Sequence, residues 1–158
     1  MSVKVIELKD ALDKSAACKD ITAQLPEWFG LAGANAQYAV DAETYPALAV
    51  VFNGKVAGLL VYKRQHDDVL NEDVMDIHWL GVMPEFHGRG FGTALVDSFN
   101  AIAKAGNIKT VTVETLNPKA KDQSYLKTHA FYEKLGFKTF HEFSYGEHNP
   151  MVKMKKVL

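Results

Sequence analysis

The residues able to do chemistry gather in one stretch, Glu72 to Gly106, which reads EDVMDIHWLGVMPEFHGRGFGTALVDSFNAIAKAG. Two groups that can hold a proton, Asp76 and His78, stand two positions apart. After them comes the turn His87-Gly88-Arg89-Gly90-Phe91-Gly92-Thr93. Glycines at alternate positions let the backbone turn tightly and leave its N–H groups uncovered by side chains. Such N–H groups, followed by the positive end of a helix, suit a phosphate or pyrophosphate. Arg89 adds a fixed positive charge with forked donors. On glycine count alone, a strand-to-helix turn that uses glycine only for tight packing is the favoured reading, because such motifs are common by chance.

Two well-known phosphate motifs fail here. A P-loop needs Gly-Lys-Ser/Thr, whereas this turn ends Gly92-Thr93-Ala94. A dinucleotide fingerprint needs a third glycine where Thr93 stands, after an all-apolar strand rather than one carrying Asp and His.

The elements around the turn follow from periodicity. Asp73 to Val82 alternates, with Met75, Ile77 and Trp79 on one face and Val74, Asp76, His78 and Leu80 on the other. Pro84 ends that strand. From Phe91 the period becomes helical, with Phe91, Leu95, Phe99 and Ile102 in one stripe and Gly106 at the expected C-cap. Upstream, Val3–Leu8 reads as a strand, and Asp10 caps a helix to about Gln24 that Pro26 closes. Cys18 lies inside that helix as a packed or half-exposed thiol. Trp28 and Phe29 sit in a loop before a second helix over Gly33–Thr44. Strands Ala47–Phe52 and Lys55–Arg64 flank Asn53-Gly54, a two-residue hairpin turn. Residues 66–72 read as a polar loop whose carboxylates are solvated. Beyond Gly106, Ile108–Glu114 is a β-branched strand parallel to the central one. Residues 115–127 read as a long polar loop and Thr128–Leu135 as a short helix ended by Gly136, with His129 near its start. Phe137–Tyr145 and Met151–Leu158 form a final antiparallel pair.

Composition bounds the function. The chain has 158 residues, long enough for one domain (1–158) with a sizeable core. A net charge of −1 argues against electrostatic nucleic-acid binding. The late cluster Lys153, Lys155 and Lys156 reads as a solvated strand end. The first ten residues mix charges and carry no apolar run of signal-peptide type, and no stretch reaches membrane-spanning length. One cysteine excludes an internal disulfide and is compatible with a reducing cytoplasm. The scattered histidines lack metal-ligand spacing, so no metal is expected.

Leu80-Gly81-Val82 followed by His87-Gly88-Arg89-Gly90-Phe91-Gly92 closely resembles the acyl-CoA-binding signature of the GNAT superfamily of N-acyltransferases, with His87 where Gln or Arg is usual. A second stretch, His129-Ala130-Phe131-Tyr132-Glu133-Lys134-Leu135-Gly136-Phe137, resembles the superfamily's A-x-x-F/L-Y-x-x-x-G-F helix. The element order β-α-α-β-β-β-α-β-α-β-β matches the GNAT fold along essentially the whole chain. The implied class is α/β (α+β): a mixed, mostly antiparallel central sheet with a splayed parallel pair, flanked by helices.

The resemblance implies an acetyl-CoA-dependent enzyme acting on a primary amine by direct transfer. Leu80, Gly81 and Val82 would pair with the pantetheine arm, and one of their N–H groups would face the thioester carbonyl, where attack builds negative charge. The turn His87, Gly88, Arg89, Gly90, Gly92 and Thr93 would hold the pyrophosphate, and Asn117 would contact the pantetheine. Tyr132 would protonate the leaving sulfur. An amine of pKa about 10.4 is neutral in only roughly one molecule in 2,500 at pH 7. A base therefore helps to deliver it. Asp76 lies eleven residues before His87, the spacing of the catalytic glutamate in histone-acetylating members. Its shorter side chain favours a water-relayed role. His78, on the same face and near-neutral in ordinary pKa, is the alternative base. A polar strand face solvated at a cleft would explain both without catalysis. Trp28 and Phe29 either plug the core or line an acceptor pocket; Phe140, Phe143 and Tyr145 would extend that aromatic wall, and strand packing explains them equally well. The acceptor, a small-molecule or peptide amine, is not named by any residue, and a homodimer through the last strands stays open. The different-class alternative is an acyl-CoA-binding sensor or interaction module without turnover; only the enzyme needs Tyr132 together with a base.

Overall fold

A computed structural model describes residues 3–158. The elements run β1 (Val3–Glu7), α1 (Ala11–Gln24), α2 (Ala32–Thr44), β2 (Ala47–Phe52), β3 (Lys55–Asp67), β4 (Glu72–Val82), α3 (Phe91–Ala105), β5 (Thr110–Leu116), α4 (Gln123–Lys134), β6 (Lys138–Ser144) and β7 (Pro150–Val157). The expected element order is the observed one. Together the strands form a seven-stranded sheet of order β1-β2-β3-β4-β5-β7-β6. β4 and β5 are parallel, with Met75 opposite Val111 and Ile77 opposite Val113. The pairs β1–β2, β2–β3, β5–β7 and β6–β7 are antiparallel.

By residue contacts the chain falls into two compact units. One holds the chain up to Lys63 together with His78–Ile102, and the other holds Arg64–Ile77 together with Ala103–Leu158. β3 and β4 pass through both. In the first unit, the Asp10 carboxylate accepts from the Asp13 N–H at 3.0 Å and starts α1. α1 buries Ala17, Cys18 and Ile21. Asn53 and Gly54 take φ of 50° and 79°, the left-handed pair that a two-residue hairpin requires. α3 buries Phe91, Leu95, Val96 and Phe99, while Ile102 is only partly covered.

α3 ends at Ala105 with Gly106 at its C-cap, where it is expected, and the left-handed residue is the following Asn107 (φ 62°). Asn107 N–H bonds the Lys104 carbonyl and Ile108 N–H bonds the Ala103 carbonyl, which is the Schellman arrangement. Several expectations need correction. α4 begins at Gln123, five residues before the expected Thr128, because Asp122 caps it by accepting from the Tyr125 N–H. The polar composition hid that start. His129 consequently lies mid-helix rather than near the start and pairs with Glu133 one turn on, at 3.1 Å. β3 continues to Asp67, so residues 66 and 67 belong to a strand and the turn shrinks to 68–71, closed by Asn71 at φ 54°. Asp67 is not solvated: it is 1% exposed and meets Lys153 Nζ at 2.7 Å. Lys153 is likewise no solvated strand end. Its position on β7 turns it inward.

Candidate active site

The glycine turn lies wholly in the first unit. β4 ends at Val82, a 3-10 turn over Pro84–Phe86 follows, and α3 starts at Phe91. Gly88 and Gly90 have φ of 74° and 81°, and a Cβ at either would stand in open space. Backbone conformation, not packing, therefore demands glycine there. Gly90 O accepts the Ala94 N–H, the first bond of α3. The N–H groups of Phe91, Gly92 and Thr93 then have no partner within the helix, and its positive end faces the turn. The stacked rings of Phe86 and Phe91, 5.5 Å apart, both meet Phe52. The Arg89 guanidinium rests over these rings, 4.8 Å from the Phe52 centroid, which fixes its charge beside the turn. His87 donates from Nε2 to the Val82 carbonyl at 2.7 Å, and the Trp28 ring meets it edge-on.

Gly81 is needed for a different reason. A Cβ there would lie 2.7 Å from Trp79 and 2.8 Å from Ile21. The strand end Leu80-Gly81-Val82 thus keeps its backbone close under α1 with no room for a side chain.

His78 is held from α2. Its Nε2 lies 2.8 Å from the Asp41 carboxylate, with both side chains about one fifth exposed (20% and 21%). Burial pushes the Asp41 carboxyl up, but hydrogen bonds from Gln37 and His78 and the charges of His78 and Lys63 outweigh it and hold it below its usual value. Tyr38 and Tyr45 present ring edges to the imidazole at 6.5 and 5.3 Å. Phe29 packs on Trp79 and Tyr38, so it belongs to this aromatic surround; Trp28 and Phe29 are both half-buried. Cys18 is fully buried, and burial with the nearby Asp41 charge pushes its thiol up to about 11, which leaves it unreactive.

The second unit carries the other candidates. Asp76 is 4% exposed and accepts from the Thr112 hydroxyl at 2.6 Å across the parallel pair. The expectation of a solvated strand face does not hold for it. Tyr132 is buried on α4, and burial together with the Asp76 charge raises its phenol well above the ordinary value. Its place is set by the helix end. The Phe137 N–H bonds the Tyr132 carbonyl and the Gly136 N–H bonds that of Glu133, while the Phe137 ring packs 5.5 Å from that of Tyr132. Asn117 is 7% exposed; its side-chain oxygen caps Lys119 N–H and its amide donates to Glu142 at 3.0 Å. That leaves one lone pair and one N–H on its side chain for another partner. Phe143 stacks with His141 and meets Tyr145 edge-on along β6, and the Tyr145 hydroxyl bonds Glu114.

The sequence matches the model of the Acetyltransferase (GNAT) family over residues 13–137. The chain belongs to the GNAT acetyltransferase family. The matched stretch includes the glycine turn, both base candidates and Tyr132. No curated protein sequence matches the chain significantly. Solved structures do match in fold. One described as a GNAT-family acetyltransferase, from Desulfovibrio desulfuricans, is 15% identical with a TM-score of 0.84 over 99% of each chain. The ribosomal-protein-S18-alanine N-acetyltransferase of Escherichia coli is 17% identical, TM-score 0.72, covering 98% of this chain and 92% of that one. Aminoglycoside 6'-acetyltransferase type Ii is 19% identical, TM-score 0.72, covering 99% and 97%. At these identities the likeness concerns the fold.

Within this GNAT chain, sequence reasoning missed Asp41, Tyr38 and Tyr45 around His78, and Thr112 and Lys153 around the buried carboxylates. Their signals are weak for a physical reason. Asp41 is separated from His78 by 37 positions, and nothing local marks which face of α2 meets β4. Thr112 reads as an ordinary β-branched strand residue. Among the described residues, no group of three or more His, Cys, Asp or Glu side chains could hold a metal ion, and no helix is long and apolar enough to cross a membrane.

Proposed function

We propose that this acetyltransferase moves an acetyl group from acetyl-CoA directly to a primary amine. The observation that carries it is the left-handed Gly88/Gly90 turn opening onto the N-terminus of α3, right after a strand end, Leu80–Val82, whose Gly81 admits no side chain. The residues fit the co-substrate: N–H groups of the turn and the Arg89 charge suit a pyrophosphate, and an extended backbone suits the amides of a pantetheine arm. In this proposal Leu80, Gly81, Val82, His87, Gly88, Arg89, Gly90, Gly92, Thr93 and Asn117 bind acetyl-CoA. When bound, it supplies an activated acyl carbon.

The chain's own residues supply proton traffic. Tyr132 keeps its proton because burial and Asp76 disfavour the phenolate, so it is a donor for the departing thiolate. Asp76 or His78 takes a proton from the incoming ammonium. Trp28 and Phe29 belong to the acceptor side. We place the protein in the cytoplasm, in keeping with its single, buried cysteine. We further propose that residues 1–158 act as one catalytic domain, and pairing between subunits through the last strands remains part of the proposal.

The test is a thermal melt with acetyl-CoA, beside a Gly90→Glu variant, followed by thiol release in a panel of primary amines. The panel holds spermidine, phenethylamine, an alanine-ended peptide and an aminoglycoside, the last two taken from the fold's neighbours. Acetyl-CoA at a hundred times its dissociation constant should add about 2.7 kcal/mol to the folded state. That shift should vanish in Gly90→Glu. No shift at millimolar acetyl-CoA overturns the donor assignment; a shift without thiol release makes the protein a binder rather than an enzyme.

A further inference from the structure

The two base candidates are not equivalent once their surroundings are compared. Asp76 is 4% exposed and already receives the Thr112 hydroxyl. A buried carboxylate that takes a proton must also return it to water, and little path to water is left at that exposure. His78 keeps a fifth of its side chain exposed. Its Nε2 faces the Asp41 carboxylate at 2.8 Å. An ionised carboxylate only accepts hydrogen bonds, so Nε2 carries the proton and Nδ1 holds the lone pair. Asp41 is itself anchored, since Gln37 donates to its other oxygen at 2.8 Å.

We infer that His78 is the catalytic base, through Nδ1, and that Asp41 is the positioning residue that fixes its tautomer and stabilises the imidazolium. This rests on the proposed acetyl transfer. One proton of the ammonium passes to Nδ1, and the freed nitrogen pair forms the C–N bond. The C–S bond breaks, and the sulfur takes a proton from the Tyr132 hydroxyl. The second proton lost by nitrogen restores Tyr132, so one net proton leaves through His78 to water. The charged and titratable groups around the His78–Asp41 pair are Tyr38 on α2, Tyr45 at its end, Lys63 on β3, whose ammonium lies 5.5 Å over the Tyr45 ring, and Cys18 on α1. Asp76 stands two residues back on β4 itself. Among the described residues, Asp41 alone is an anion in hydrogen-bond contact with the ring.

The experiment has two arms on the full chain. Histidine 15N NMR reads the tautomer of His78 in the parent and in Asp41→Asn. The parent should show the Nε2–H tautomer, and the variant should lose that fixed preference because an amide can donate as well as accept. Thiol release with the fastest amine of the panel then reads the acid limb of kcat/KM. In Asp41→Asn the rate at neutral pH should fall on the order of 100-fold, with the limb displaced from its position in the parent; Asp41→Glu should regain part of both. His78→Gln should abolish the limb. A purely structural role for Asp41 would lower rates without moving the limb. An unmoved limb in Asp41→Asn, a limb surviving in His78→Gln, or an Nδ1–H tautomer in the parent each overturns the inference. Absence of any thiol release, with the acetyl-CoA melting shift intact, overturns the enzyme reading, and this inference with it.

Discussion

Asp76 and His78 are two residues apart on one strand and share its face by alternation, yet they live in opposite settings. The carboxylate sits in a dry cluster with Thr112 from β5, and its charge is felt by Tyr132 and Lys153. The imidazole sits in a half-open aromatic surround beside Asp41. The difference teaches that a polar strand face is not one environment. A dry cluster fixes protons where they are, while a half-open one lets them come and go. In the proposed reaction Tyr132 is the donor and His78 the acceptor.

The largest break in the comparison should come from the dry side. Asp67 has a side-chain exposure of 0% and its cation is Lys153 at 2.7 Å. Lys153→Ala leaves a buried carboxylate without that cation and should cost about 3–5 kcal/mol, read from the urea midpoint. An exposed pair gives the contrast: Arg64 and Asp73 are more than half exposed (60% and 54%), and Arg64→Ala should cost less than about 0.5 kcal/mol. The sign with pH also follows. Burial raises the Asp67 carboxyl, but Lys153 and the Leu70 N–H outweigh it and hold it low. Its contribution is present above the unfolded value and is lost as pH falls through the folded one. Burial lowers Lys153, but Asp67 outweighs it and holds it high, so that contribution is lost only as pH rises past the unfolded value. The gap between parent and Lys153→Ala should therefore narrow as pH falls below the ordinary carboxylate range toward the lowered folded value of Asp67, where the protonated carboxyl no longer needs a cation. A small gap that ignores pH would show the pair to be ornamental.

Tyr132→Phe should be the next largest effect. The phenol is buried and protonated, and Phe preserves its packing on Phe137. Turnover should fall about 100-fold, with the acetyl-CoA melting shift nearly unchanged. Equal turnover in variant and parent would remove Tyr132 from the reaction and leave the dry cluster a structural one.

How far the sequence revealed all this depends on the range of each signal. The glycine turn, the Asn53-Gly54 hairpin, the Asp10 cap and the end of the helix before Gly136 are local, and each stands where periodicity and turn chemistry placed it. The parallel β4–β5 pair followed from a helix joining two strands. The start of α4 was missed because Asp122 is a cap hidden in a polar run. Partners brought together by the sheet were invisible: Asp67 and Lys153 are 86 positions apart, and reading each alone gave a solvated turn and a solvated strand end. His78 was legible as a group able to take a proton, whereas Asp41, which distinguishes it from Asp76, was not.

The smallest prediction separates the two settings most finely. Thr112→Val keeps the shape of a β-branched strand residue while removing the hydroxyl that reaches Asp76 at 2.6 Å. A hydrogen bond to a charged group is worth about 1.5–3 kcal/mol, so a stability loss near 2 kcal/mol is expected in denaturant titration. The kinetic result carries more information than the stability loss. If Asp76 were the base, losing a donor to its charged form would move the acid limb of kcat/KM to higher pH. With His78 as the base, the limb should stay where the parent has it while stability falls. Stability and proton transfer would then be shown to reside in neighbouring but separate polar clusters, one on each side of Ile77.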